Sequence, residues 1–334
     1  MSGLRPNLDL ERLADRHRRM HRIRAFEEQA VAALEEGLVL GAIHPSIGQE
    51  ACAVGVVGSL ARDDLLLSTH RGHGHTLEKG ASAIAMMREL FGRDGGNCGG
   101  KGGSMHIADF SVGMLGANGV VGANINIAAG AAHAIRLRGE RRIVCCIFGD
   151  GAVNRGPFLE GLNWARVFDL PVLFVCEDNA FAATTRTEAM TGGPGPAARA
   201  EALGIPSHAV DGNDVDLVAE VTTELRERIL EGGGPQFLWA KTWRLTGHTA
   251  VDKAAYRDAG EVEERWKDDP VARAAESLRT HGISDETLAG HREAAVSEMQ
   301  AAYEEARAAP WPETAALYAD VQDVGDPREA VFRW

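Results

Sequence analysis

The stretch RRIVCCIFGDGAVN, residues 141–154, decides how this chain folds. Arg141 to Phe148 ends in a continuous apolar run of strand length, the pattern of a parallel strand covered on both faces rather than a half-exposed one. A second such run, LPVLFVCE at Leu170 to Glu177, follows. Between them Pro157 to Phe168 has helical length, with Phe158, Leu162, Trp164, Ala165 and Phe168 apolar. The spacing predicts a strand, a helix and a parallel strand, and hence an α/β fold with a parallel sheet covered by helices on both faces.

The turn after the first run is Gly149-Asp150-Gly151-Ala152, the place where such sheets bind ligands. A dinucleotide fingerprint would need a third glycine where Asn154 stands. Asp150 beside a diphosphate is repulsive unless a cation lies between them. Mg²⁺ takes carboxylate, amide and carbonyl oxygens together with phosphate, and the second run ends at Glu177-Asp178-Asn179, next to the Gly149 turn in a parallel sheet. Asp150 and Asn179 are therefore candidate ligands of one ion.

Outward from this unit, residues 8 to 36 carry apolar side chains at helical spacing up to Gly37. Gly48 to Leu60 reads as a small-residue helix, Leu65 to Ser68 as a short strand, Val215 to Leu230 as a helix and Phe237 to Thr242 as a strand. From Gly92 to Gly122, 11 of 31 residues are glycine, a loop too long for a compact domain unless it is functional or disordered. Residues 261 to 309 are Glu-, Arg- and Ala-rich with helical periodicity, ended by Pro310-Trp311-Pro312. The expected division is an N-terminal helical segment (1–40), a ligand-binding α/β domain (41–260) and a C-terminal helical extension (261–334).

The chain has 334 residues, 45% of them hydrophobic, and a formal charge of −13. That balance suits a globular protein and repels nucleic acid and anionic membrane, so any phosphate must be held locally. Five cysteines without C-x-x-C spacing suit a reducing compartment. With no signal-like N-terminus and no apolar stretch of membrane-spanning length, the expectation is a cytoplasmic protein with no membrane contact.

Gly149-Asp150-Gly151 followed by a strand ending in Asn179 resembles the thiamine-diphosphate-binding motif. With Gly48-Gln49-Glu50-Ala51, His70-Arg71-Gly72-His73-Gly74, Gly100-Lys101-Gly102-Gly103-Ser104-Met105-His106 and Arg244 through Gly247-His248-Thr249 to Asp252, residues 20 to 275 resemble the α subunit of the thiamine-dependent dehydrogenase component of 2-oxo acid and acetoin dehydrogenase complexes. The resemblance implies that Asp150, Asn179 and the Phe181 carbonyl hold Mg²⁺ and that the Gly151 and Ala152 amides touch the diphosphate. It implies that Arg71, with His70 beside it, neutralises a phosphate and that Gly119 and Val121 set backbone against the pyrimidine. His248 would lie near the diphosphate and the substrate, and it and His73 are the candidate catalytic side chains. The chemistry implied is cofactor-based carbon–carbon cleavage or decarboxylation of a small-molecule substrate. The partners implied are a β subunit, in an assembly of two α and two β chains, and a lipoyl acyltransferase that takes the acyl unit.

This chain departs from relatives in having Asp178 where Asn is frequent, Phe181 for Tyr and Arg155 for Gln, and in lacking a proline in Gly122 to Ile127. Ser68 to His75 and Met114 to Gly119 look most like the acetoin-cleaving branch. Plainer readings stand beside these. His73 and His75 also read as hydrogen-bonded loop histidines, Lys101 as a solubilising residue, and Met86, Met87 and Met105 as packing. A non-catalytic relative of the same fold is the alternative, disfavoured because a scaffold has no need to keep Asp150, Asn179, Arg71 and His248 together.

Overall fold

The structure, a computed structural model, describes residues 9–39 and 41–319; residues 1–8, 40 and 320–334, which belong to the expected terminal segments, lie outside the described residues. In chain order the elements are α1 (Leu10–Glu35), α2 (Glu50–Val57), β1 (Leu65–Thr69), α3 (His73–Glu78), α4 (Ala83–Leu90), β2 (Met114–Asn118), α5 (Ala123–Arg138), β3 (Val144–Gly149), α6 (Gly156–Val167) and β4 (Val172–Asp178). A two-residue pair, β5 (Phe181–Ala182) and β6 (Thr185–Arg186), precedes α7 (Pro196–Ala202), β7 (Ser207–Asp211), α8 (Val215–Leu230) and β8 (Gln236–Lys241). The chain then runs through α9 (Ala259–Trp266), α10 (Pro270–Thr280) and α11 (Asp285–Ala308).

Six strands form one sheet in the order β2-β1-β3-β4-β8-β7, and every pairing in it is parallel. The α/β fold expected from the two apolar runs is the fold observed. Alternation along β3 shows why both its faces are apolar. Val144, Cys146 and Phe148 pack beneath α5 and α6, whereas Cys145 and Ile147 pack against α2 and α8. The strand begins three residues later than the apolar run suggests, because the Ile143 amide donates to Asp64 Oδ1 (3.0 Å) and not to a neighbouring strand. The helix 215–230 is found with the expected bounds, opened by Asp214, whose side chain accepts from the Leu217 amide.

The glycine-rich stretch is ordered, and it hides the edge strand β2. Its fold is organised by Glu89, fully buried at the end of α4. Glu89 Oε2 accepts from the amides of Cys98 and Gly100 (both 2.8 Å), and Oε1 from those of Gly102 (2.7 Å) and Gly103 (3.1 Å). One carboxylate thus satisfies four backbone donors that no regular element would. The helical ends of the chain meet: α1 packs with α10 through Leu13, Met20 and Leu278 and with α11 through Phe26, Met299 and Tyr303.

Candidate active site

Along the chain the sheet is built to one side from β1 to β2, then to the other from β3 to β4. The crevice at the carboxyl ends of β1 and β3 is therefore a topological switch point. A cavity of about 600 Å³ opens there. It is lined by residues that follow β1 (His70, Arg71), β2 (Gly119, Val121), β3 (Asp150, Gly151, Ala152), β4 (Asn179, Phe181) and β8 (Arg244, His248).

Register explains the first cluster. Gly149 pairs with Glu177 across β3 and β4, so Asp150, one residue on, and Asn179, just past the end of β4 at Asp178, leave neighbouring strand ends into the same cavity. Both are buried. Asn179 Nδ2 donates to Gln49 Oε1 (2.7 Å), which fixes the amide so that Oδ1 faces the chain turn, where it accepts from the Phe181 amide (3.2 Å). Gln49 itself donates from Nε2 to Glu177 Oε2 (3.3 Å). Asp150 Oδ2 accepts from the Thr187 hydroxyl. Burial, reinforced by the negative charge of Asp178, pushes the Asp150 carboxyl up to about 7. A buried acid beside an oriented amide oxygen and the Phe181 peptide is a donor set suited to a hard divalent cation, whose charge would restore the carboxylate. A Cβ at Gly151 would come within 2.8 Å of Ala182 Cβ, so only glycine lets the turn pass under β5.

The second cluster is cationic. Arg71 and Arg244 are both buried. Arg71 donates to the carbonyls of Pro45 (2.6 Å) and His248 (3.2 Å). Arg244 donates to the Ala183 carbonyl (3.0 Å) and to Tyr256 Oη (3.1 Å). Among the described residues neither forms an ion pair, and Arg244 Nε has no partner. Burial and the charge of Arg244 bring the Arg71 guanidinium down to about 9. Two buried cations that no carboxylate contacts directly call for an anion, and the diphosphate that the family resemblance implies fits this demand.

His248 lies between them. Its Nδ1 is 3.4 Å from Arg71 Nη2 and 3.3 Å from Arg244 Nη1. Guanidinium groups only donate, so Nδ1 is the acceptor and the hydrogen of the neutral ring sits on Nε2. Burial and the two arginines hold the ring at about 4, so it is neutral at pH 7. Its backbone amide donates to Asp252 Oδ2 (2.7 Å), which also accepts from Tyr256 Oη (2.9 Å). His44 packs edge-on to it and His70 at a tilt, with ring centroids 4.9 and 5.8 Å away. Among the described residues the buried ring nitrogens His44 Nδ1 and His70 Nε2 have no hydrogen-bond partner.

One expected residue is elsewhere. His73 is fully buried, does not line the cavity, and has both nitrogens occupied, Nδ1 by Glu27 Oε2 and Nε2 by Ser104 Oγ (each 2.9 Å). The expectation that it is catalytic gives way to its alternative, a hydrogen-bonded histidine that ties α3 to α1 and to the glycine-rich loop. His75 is bound likewise, to Ser68 Oγ (2.8 Å). Arg244, His44, Gln49 and Thr187 were not singled out from the sequence as site residues. Arg244 and Gln49 lie within the motifs that carry the family resemblance, and an arginine three residues past a buried strand was the available signal for the first.

Residues 18–315 match the dehydrogenase E1 component family. Over 317 residues the chain is 42% identical to the α subunit of acetoin:2,6-dichlorophenolindophenol oxidoreductase of Cupriavidus necator, covering 94% of this chain and 95% of that protein. Similarity to the subunit of the same name from Bacillus subtilis is 37% over 305 residues, 91% of this chain and 92% of that one. The α subunit of the pyruvate dehydrogenase E1 component of Rhizobium meliloti is 36% identical over 307 residues, covering 91% and 88%.

Proposed function

This chain belongs to the dehydrogenase E1 component family, and we propose that it is the α subunit of an acetoin-cleaving component, with thiamine diphosphate and Mg²⁺ held in the cavity at the switch point. It is a subunit of a thiamine-dependent dehydrogenase component. The observation that carries the finer reading is that Arg71 and Arg244, buried and without an ion-pair partner among the described residues, share one cavity with Asp150 and Asn179. The greater identity to the two acetoin oxidoreductase subunits than to the pyruvate dehydrogenase subunit supports acetoin over pyruvate as substrate.

When bound, the cofactor supplies a nucleophilic carbon and an electron sink for breaking a carbon–carbon bond. The chain does the rest. Asp150, Asn179 Oδ1 and the Phe181 carbonyl hold Mg²⁺, Arg71 and Arg244 neutralise the diphosphate, and the Gly151 and Ala152 amides touch it. Gly119 and Val121 set backbone against the pyrimidine, and Met105, Val120 and Met190 add apolar wall that excludes water. His248, neutral with hydrogen on Nε2, donates from that atom to a substrate oxygen. The partners are a β subunit, which shapes the rest of the pocket, in a two-plus-two assembly, and a lipoyl acyltransferase. No helix among the described residues is long and apolar enough to cross a membrane, which supports a cytoplasmic setting.

Calorimetry of the α–β assembly tests the metal assignment. Asp150→Ala is expected to abolish Mg²⁺-dependent binding of thiamine diphosphate while the assembly persists, and unchanged binding would overturn it. Assay of the same assembly with an artificial electron acceptor is expected to favour acetoin over pyruvate and branched-chain 2-oxo acids.

A further inference from the structure

Gly116, Gly119 and Gly122 fall together where β2 gives way to α5, the first and last at φ of 153° and 85°. A backbone this rich in glycine takes many conformations unless side chains hold it, yet residues 118–122 line the cavity. Asn124 supplies the hold. It lies in the first turn of α5, is 6% exposed and also lines the cavity. Its Nδ2 donates to the Ser68 carbonyl of β1 and to the Gly116 carbonyl of β2 (3.4 Å to the latter). That fixes the amide so that Oδ1 accepts from Asn118 Nδ2 (3.4 Å). Asn118 Oδ1 in turn accepts from the Val120 amide (2.8 Å). From the other side His106 holds the neighbouring peptide. Its Nδ1 is 3.2 Å from the Gly102 carbonyl, which only accepts, so the hydrogen sits on Nδ1 and Nε2 accepts from the Gly119 amide (3.4 Å).

Joining β1 to β2 does not require this chain of bonds, since the two strands already pair as far as Thr69 and Asn118. The link from Asn118 to Val120 lies beyond that ladder and serves only the segment that faces the cavity. We propose that Asn124 is a positioning residue for the pyrimidine end of the cofactor: through Asn118 it sets the backbone of Gly119 to Val121 before the ligand arrives, a role that rests on the proposed function for the identity of that ligand. A segment ordered in advance gives up little further freedom on binding, so cutting the strap costs affinity. The metal and arginine end of the cavity is held separately, because Asn118 and Asn124 bond to none of Asp150, Asn179, Arg71 and Arg244. Inorganic pyrophosphate with Mg²⁺ reports on that end alone, and thiamine diphosphate on both.

The test uses the full chain assembled with the component's β subunit, at saturating Mg²⁺, with calorimetry of both ligands. Asn124→Leu and Asn118→Ala, the second a milder change at a half-buried strand end that keeps the test open should the first not fold, are each expected to weaken thiamine diphosphate about 30-fold and to leave pyrophosphate affinity unaltered. The double variant is expected to be no weaker than Asn124→Leu alone, since both changes cut one chain of bonds. Hydrogen exchange across residues 115–122 of the cofactor-free assembly is expected to quicken in each variant. Equal loss of both ligands would mean that Asn124 only supports the fold, and it overturns the proposal. So does unchanged affinity for thiamine diphosphate, or unchanged exchange. A wild-type assembly that binds thiamine diphosphate no better than pyrophosphate sinks the functional reading instead, and the exchange rates then still decide whether the strap holds the segment.

Discussion

Asp150 shows how much a single residue type can disclose. A carboxylate in a phosphate-binding turn is an electrostatic contradiction, and the cation that resolves it could be argued from the sequence. Gln49 could not be found that way. Its bond to Asn179 spans 130 positions, and no local pattern marks a glutamine as the residue that turns a distant amide. Its role is testable because it touches neither cavity nor cofactor directly. Gln49→Leu leaves Asn179 Nδ2 and Glu177 Oε2 short of a partner and frees the amide to rotate. The expected result is roughly a tenfold or greater loss of Mg²⁺ affinity, read from Mg²⁺ titrations of thiamine diphosphate binding, with the chain still folded. Unaltered Mg²⁺ affinity would show that Asn179 is held by other means.

At the scale of elements, legibility followed burial. The strands β3 and β4 and the helix α8 were plain because their apolar residues have only one periodicity to obey. The edge strand β2 was not, since Met114-Leu115-Gly116-Ala117-Asn118 sits in glycine-rich sequence and depends on β1 for its extension. The six-residue α3 was missed because His73-Gly74-His75 carries no apolar period. Nor does sequence reveal that a buried glutamate shapes the following loop. Glu89→Gln keeps the volume but sets an amide N–H₂ against backbone donors. A loss of about 3 kcal/mol in urea unfolding is expected, with faster hydrogen exchange confined mainly to residues 97–104. A uniform rise in exchange would mean that Glu89 supports the whole fold and not this loop. Ser104 and Met105 lie on that loop, one bonded to His73 and the other lining the cavity, so loosening it is expected to weaken cofactor binding as well.

Across the whole molecule, six histidines are held below the ordinary imidazole range. Burial is the main cause in each, and neighbouring arginines add to it at every one but His17: His17 and His44 are brought down to about 3, His70 to about 2, His21 and His248 to about 4, and His291 is lowered as well. In the unfolded chain the same rings take protons near 6.5. The folded protein therefore has its full stability above about pH 6.5 and loses it as the pH falls toward 4, because only the unfolded state gains protons in that window. Urea midpoints at pH 7.5 and 5 are expected to show this, and replacing His17 and His21 by Gln should shrink the difference; a flat profile would contradict neutral burial. The paired arginines of the cavity have a consequence for kinetics. The anionic diphosphate end of the cofactor, diffusing toward a body of charge −13, is repelled until it comes within reach of Arg71 and Arg244. Added salt shortens the range of that repulsion more than it weakens the final contacts, since the Debye length is about 10 Å at 0.1 M. Moderate ionic strength should thus quicken capture of the cofactor even as it loosens the bound state, so that stopped-flow entry rates climb where equilibrium affinity declines.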